Sequence, residues 1–214
     1  MKLLAINGSP REKGNTYTAL QVVLDEAARL GAETQLIWLG DKNIRGCSAC
    51  YGCVKNHSCV QQDDFEDVFD AMVEADGILL GSPVYHASIS SELKALLDRA
   101  GFSGRWAKNA MQEKGTGYNW SGTAWSGKVV APVAAARRTG HTFAFAQLLL
   151  WATCNDCIVV GNTYWNVSVS GKGGAYDALE DEEGVSNLTG LARRLVDTIA
   201  ALGEYHAVSL RVNG

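Results

Sequence analysis

Cys47, Cys50, Cys53 and Cys59 span thirteen residues at a Cys-x2-Cys-x2-Cys-x5-Cys spacing. Nothing in the 214-residue chain reads as an export signal, so in a reducing compartment these thiols point to metal binding or redox work. Three thiolates at three-residue steps wrap a small inorganic cube, and a fourth closes its last corner. Structural zinc instead favours two separated Cys-x2-Cys pairs. Packing thiols and a regulatory disulfide are the competing readings. Cys154 and Cys157 share the Cys-x2-Cys spacing but precede a strand, which suits two buried structural cysteines better than a dithiol centre.

The second chemical feature is Asn7-Gly8-Ser9-Pro10-Arg11-Glu12-Lys13-Gly14-Asn15-Thr16. It joins a short apolar run to an amphipathic stretch. In such a strand-to-helix turn, the free amides and the helix dipole favour an anion. Ser9, Asn15 and Thr16 add side-chain donors, and Arg11 adds a full positive charge. The segment lacks the G-x-G-x-x-G of dinucleotide folds and the G-K-[ST] ending of a nucleotide-hydrolysing P-loop. A terminal monophosphate therefore suits it better than a pyrophosphate. A solvated turn is the alternative.

Short apolar runs alternate with amphipathic stretches, and these elements must position both features. Strands are expected over Lys2–Ile6, Glu33–Leu39, Gly77–Leu80, Lys128–Val133 and Ile158–Gly161. Helices are expected from Thr16 to Gly31, from Asp63 through Met72, after Ser90 or Ser91, over Phe143–Trp151 and over Val185–Leu202. Strands separated by helices imply right-handed crossovers and a parallel sheet. Five of them, with a ligand loop after the first, predict an α/β, flavodoxin-like three-layer sandwich forming one domain over residues 1–214. Residues 45–62 form a cysteine loop. Regular patterning lapses over 102–126, where Trp106, Tyr118, Trp120 and Trp125 read either as a lid over a ligand or as a subunit contact.

Composition narrows the class. At 47% hydrophobic and 20% charged the chain is not disordered, and a net charge of −4 argues against nucleic-acid binding. No apolar run reaches the roughly eighteen residues of a membrane span. A cytoplasmic protein with no membrane partner is expected, and the sequons at Asn56, Asn119, Asn166 and Asn187 are then accidents of composition.

Gly8-Ser9-Pro10-Arg11 with Gly14-Asn15-Thr16, together with Gly81-Ser82-Pro83-Val84-Tyr85 after the third strand, resembles the NAD(P)H-dependent FMN reductase family. The cysteine spacing resembles the iron–sulfur flavoprotein branch of that family. Lys94, Asp98-Arg99 and the stretch Glu182–Leu195 extend the likeness over most of the chain. The resemblance implies a flavodoxin-like fold, FMN as cofactor, NAD(P)H as co-substrate and assembly into homodimers or homotetramers. By position it implies Ser9, Arg11, Asn15 and Thr16 at the FMN phosphate and Pro83, Val84 and Tyr85 along the isoalloxazine ring. It also implies a third contact at Ala135, Arg137 and Gly140. Relatives are often glycine-rich there, whereas this chain has Ala134-Ala135-Ala136-Arg137-Arg138. An arginine at 137 or 138 stabilises charge on a bound cofactor, attracts a pyridine-nucleotide phosphate, or belongs to a solvated turn.

For Cys47, Cys50, Cys53 and Cys59 the resemblance implies a [4Fe–4S] cluster, with a ferredoxin-type protein as a second kind of electron donor. The expected activity is that of an FMN-dependent oxidoreductase passing hydride or electrons to a small-molecule or protein acceptor. A flavodoxin-like carrier or redox sensor without turnover of its own is the alternative. Flavin carries the chemistry, so no catalytic side chain is expected, and His86 and His141 read as incidental.

Overall fold

Alternate residues of each apolar run face opposite sides of one parallel sheet, and helices cover both sides. The computed structural model describes residues 1–107 and 123–212. In chain order the elements are β1 (Lys2–Asn7), α1 (Asn15–Arg29), β2 (Glu33–Trp38), a single-turn α2 (Gly52–Asn56), α3 (Phe65–Glu74) and β3 (Gly77–Pro83). There follow α4 (Ser91–Ser103), β4 (Val129–Ala136), α5 (His141–Cys154), β5 (Ile158–Val159), β6 (Val167–Val169) and α6 (Glu182–Val212). The sheet runs β2-β1-β3-β4-β5 with every pairing parallel. This is the flavodoxin-like sandwich that the strand–helix alternation implies.

Leu3 and Ala5 of β1, Leu79 of β3 and Val129, Ala131 and Val133 of β4 pack under α1 and α6. Leu4, Ile6, Ile78, Leu80 and Val130 face α3, α4 and α5 on the other side. Both faces of the sheet are thus apolar, as parallel strands buried on two sides require. The entry of α4 is fixed by Ser90, whose Oγ accepts from the Leu93 amide at 3.3 Å, a cap worth about 1 kcal/mol.

Four expectations change. The strand expected over 158–161 ends at Val159, because Gly161, Asn162 and Thr163 offer no apolar run to continue it. Its place along β4 is taken up again by β6, whose Val167–Val169 lie beside Ala134–Ala136. Trp125 is neither lid nor interface: it is fully buried, donates Nε1–H to the Ala100 carbonyl at 3.0 Å and packs edge-on against Phe69. The irregular stretch also begins later than expected, since α4 continues through Ser103. Tyr118 and Trp120 lie outside the described residues. Finally, Cys154 is exposed rather than buried, because α5 turns that flank outward at its last residue, and Cys157 is only partly buried.

All strands point the same way, so the loops after β1, β2, β3 and β4 leave from one sheet edge, the C-terminal edge where ligands bind in open α/β sheets. Among the described residues, no helix is long and apolar enough to cross a membrane.

Candidate functional site

The loop after β1 is held by its own polar groups. Asn7, fully buried at the strand end, accepts from the Ser9 amide at 3.1 Å and donates to the Glu12 carbonyl at 3.1 Å. Ser9 Oγ in turn accepts from the Arg11 amide at 3.1 Å. These Asx- and Ser-type turns curl the chain tightly before α1 begins. Outside partners complete the brace: Trp38 donates to the Ser9 carbonyl at 2.7 Å, and Ser90 Oγ donates to the Gly8 carbonyl at 2.5 Å. Gly8 is required here, since a Cβ would stand 2.8 Å from Leu93 Cβ and 3.0 Å from the Gly81 carbonyl oxygen.

The N-terminus of α1 has no side-chain cap and no acidic residue in its first turn. Its amides are left to bind an anion. Ser9 and Thr16 are buried beside it and Arg11 is exposed, its guanidinium 5.7 Å over the Tyr176 ring. Asn15 also bonds outside the loop. Its amide donates to the Ala175 carbonyl at 2.9 Å and its oxygen accepts from the Ala178 amide at 3.2 Å. Asn15 thereby ties segment 175–178 to the phosphate loop.

The second and third loops meet each other. The Val84 amide donates to the Ala135 carbonyl at 2.9 Å, joining the ends of β3 and β4. Tyr85 then pairs with Ser88 across a tight turn in which His86 and Ala87 take left-handed φ values of +48° and +59°. Gly140, at φ +95°, packs against this turn; a Cβ there would lie 2.8 Å from Val84 Cγ1. Pro83 and Val84 are partly buried, Tyr85 is exposed, and Ala135 contributes backbone rather than side chain. At the β4 end, His141 Nε2 and both polar atoms of the Asn166 side chain are buried with no protein partner. Buried polar atoms of this kind require a partner.

Arg137 and Arg138 are exposed and line a cleft of about 540 Å³ together with Lys172, Asp177, Glu180 and Asp181. Asp177 accepts from the Gly171 amide, which holds its carboxyl below the usual range. Asp181 accepts from the Val169 amide at 2.7 Å and the Gly184 amide at 3.0 Å.

The cysteine loop follows β2 on the same edge. Cys47, Cys50, Cys53 and Cys59 all line one small pocket, of about 20 Å³, closed on its inner side by Arg99, Phe102 and Ser103 of α4. Cys53 is buried, and burial pushes its thiol up. Cys50 is exposed, and hydrogen bonds from the Gly52 amide and Ser48 bring its thiol down. Ala49, Tyr51 and His57 take left-handed backbone conformations, so the loop is bent without glycine at those positions. Its anchors are on α4 and just beyond: Tyr51 meets Phe102 edge-on at 5.7 Å, and His57 Nδ1 lies 3.2 Å from the Trp106 carbonyl. Arg99, 1% exposed, donates to Asp63 at 2.6 Å, to the Arg45 carbonyl at 3.1 Å and to Cys59 Sγ at 3.1 Å. Burial opposes its charge, but these bonds outweigh burial and raise its pKa further.

Among the described residues, no three acidic, histidine or cysteine side chains converge on a single ion. A zinc site would require such convergence. A cube instead takes one thiolate at each corner, so its ligands must surround a volume; the four cysteines here line one pocket of only about 20 Å³.

The sequence assigns no role in holding either loop to Asn7, Trp38, Ser90 or Arg99. Asn7 had a local signal, a turn-forming residue at a strand end. The other three act across 29, 82 and 40 residues of chain, and spacing carries no trace of that.

A family model described as NADPH-dependent FMN reductase matches residues 1–172. An iron-sulfur flavoprotein of Methanocaldococcus jannaschii is 31% identical over 202 residues, covering 93% of this chain and 97% of its own length. One from Methanosarcina thermophila is 30% identical over 205 residues, with coverages of 93% and 95%. Among solved structures, a flavone reductase aligns over 95% of the chain with a TM-score of 0.69 at 20% identity; the chain spans 64% of that protein's length. An NADH:FMN oxidoreductase aligns over 94% of the chain and 89% of its own length, with a TM-score of 0.59 at 20% identity. At such identities the structural likenesses speak to the fold.

Proposed function

The chain belongs to the NADPH-dependent FMN reductase family and is a flavoprotein oxidoreductase, and on that premise we propose that it couples FMN to a [4Fe–4S] cluster. The observation that carries this reading is that one sheet edge presents both an uncapped phosphate-type loop and a pocket lined by all four clustered cysteines.

Ser9, Arg11, Thr16 and the α1 amides hold the FMN phosphate, while Asn15 braces segment 175–178 against them. Pro83, Val84, Tyr85 and Gly140 border the ring, with the Ala135 backbone fixing their spacing. His141 Nε2 and the Asn166 amide, unpaired in the protein alone, suit the polar edge of a bound ligand. Arg137 and Arg138 add positive charge at the mouth of the site for an anionic cofactor or a pyridine-nucleotide phosphate. Flavin supplies the hydride and electron chemistry when bound. The protein positions it and gives electrons a short route to the cysteine pocket. Seating a cube there requires the exposed Cys47–Cys50 limb to move outward from its present small enclosure.

The donor is NAD(P)H or a ferredoxin-type protein, and the acceptor a small molecule or a protein. Exposed Phe143 and Leu150 on α5, with Tyr164 and Trp165 beyond it, give a second copy of the chain an apolar face to cover, consistent with a homodimer. Sedimentation of the purified protein checks that assembly.

The reading is tested by anaerobic purification followed by a visible spectrum, flavin analysis and iron and sulfide determination. About four irons per chain are expected beside FMN. Flavin without iron or acid-labile sulfide overturns the cluster. Stopped-flow mixing with NADPH and, separately, with reduced ferredoxin then identifies the donor.

A further inference from the structure

Arg99 is an anomaly of α4. It is 1% exposed in a helix whose neighbouring inward residues are Leu96, Leu97 and Ala100. Arginine is almost never buried at this level without compensating partners. Asp63 and the Arg45 carbonyl engage Nη1, and the guanidinium stacks over the Phe65 ring at 4.1 Å. That pairing accounts for one end of the fork. It leaves Nη2 on Cys59 Sγ, and it leaves Nε buried with no partner at all. Arg99 also lines the same pocket as the four cysteines. A salt bridge for its own sake explains neither fact, since buried ion pairs are weak contributors to stability compared with apolar packing.

We infer that Arg99 is a positioning residue for the fourth thiolate of the cysteine pocket, and that its fixed charge makes that pocket more electron-accepting. This rests on the cluster reading above. Nη2–H orients Cys59 Sγ, and Nε–H is the donor left for a further sulfur acceptor inside the pocket. Hydrogen bonds to sulfur and nearby charge are the levers by which a protein sets the potential of such a centre. One-electron reduction adds one negative charge at the pocket, with the electron coming from the external reductant and no bond broken. A guanidinium against Cys59 favours that added charge, and Asp63 partly offsets it.

The test is a redox titration of the anaerobic full-length holoprotein with dithionite, monitored by electron paramagnetic resonance, for wild type, R99Q, R99K and D63N. R99Q is expected to lower the reduced-to-oxidised ratio at a fixed solution potential about tenfold, equivalent to 59 mV for one electron. R99K keeps the charge but loses the fork, and falls between wild type and R99Q. D63N removes the offsetting negative charge and shifts the ratio the opposite way, which a purely structural role for the pair does not produce. Loss of iron from a folded, flavin-loaded R99Q also supports the positioning role. Unshifted potentials in iron-loaded variants overturn the inference, as do shifts of one sign in R99Q and D63N. If R99Q does not fold, R99K and D63N decide by the same criteria. A wild type without iron overturns the cluster reading and this inference with it, whereas an iron-loaded wild type with insensitive variants overturns this inference alone.

Discussion

The loops after β1 and after β2 leave the same sheet edge, yet they are shaped by different forces. The phosphate loop is shaped chiefly from within: Asn7 bonds to Ser9 and Glu12, and Ser9 to Arg11, inside a six-residue span that leads into a helix start. The cysteine loop has a single turn of helix, α2, three left-handed residues that are not glycine, and bonds that close its two ends, from the Arg45 amide to Asp63 at 3.1 Å and from Gln61 to the Gly46 carbonyl at 3.2 Å. Its inner side is held as well by α4 and the residues just after it, through Arg99, Phe102 and the Trp106 carbonyl. A locally closed loop keeps its geometry when distant packing is disturbed. A loop tied to a separate helix depends on that helix's packing as well.

The sharpest way to break this comparison is C53S. Iron content is expected to fall from about four per chain to below one, while FMN content stays at the wild-type level. Equal loss of both would mean that the two loops form one cooperative unit. Next in size is W125A, which empties the space between Phe69, Trp151 and the Ala100 carbonyl behind α4. It should cost about 3–5 kcal/mol in chemical denaturation. At temperatures where the variant is still folded, iron should be lost before flavin. R11A should weaken FMN binding about tenfold, or about 1.4 kcal/mol, by equilibrium titration, with iron unchanged.

The smallest effect concerns the cysteines outside both loops. Burial pushes the Cys157 thiol up to about 12, whereas Cys154 is exposed. At about pH 8, iodoacetamide followed by mass spectrometry of the native protein should label Cys154 and leave Cys157 intact. A thiol whose pKa is raised on folding stabilises the fold below the unfolded value near 9. That contribution declines as pH rises from there towards 12, so denaturation midpoints should drop across this range.

Much of the fold was legible because parallel strands buried on two faces read as short apolar runs, and amphipathic helices as three- and four-residue recurrences. Lys2–Asn7, Glu33–Trp38 and Gly77–Pro83 lie within a residue or a few of where those patterns place them. The fifth position along the sheet was only half legible. Val167–Val169 is three residues long, too short for a period, and only its register against Ala134–Ala136 makes it a strand. Trp125 misled for a related reason. Glycine- and serine-rich surroundings mark irregular chain, but they do not tell whether an aromatic ring in that chain turns inward.

By itself the amino-acid sequence determined the order of strands and helices, the polar turn after β1 and the spacing of four thiols, because each depends on neighbours a few positions apart. Tertiary structure alone decided which side chains close those features. Trp38 and Ser90 reach the phosphate loop, Asn15 bonds to segment 175–178, and Arg99 comes to rest against Cys59. Those contacts arise where separate elements pack on a common sheet, and their geometry is set by helix placement rather than by distance along the chain.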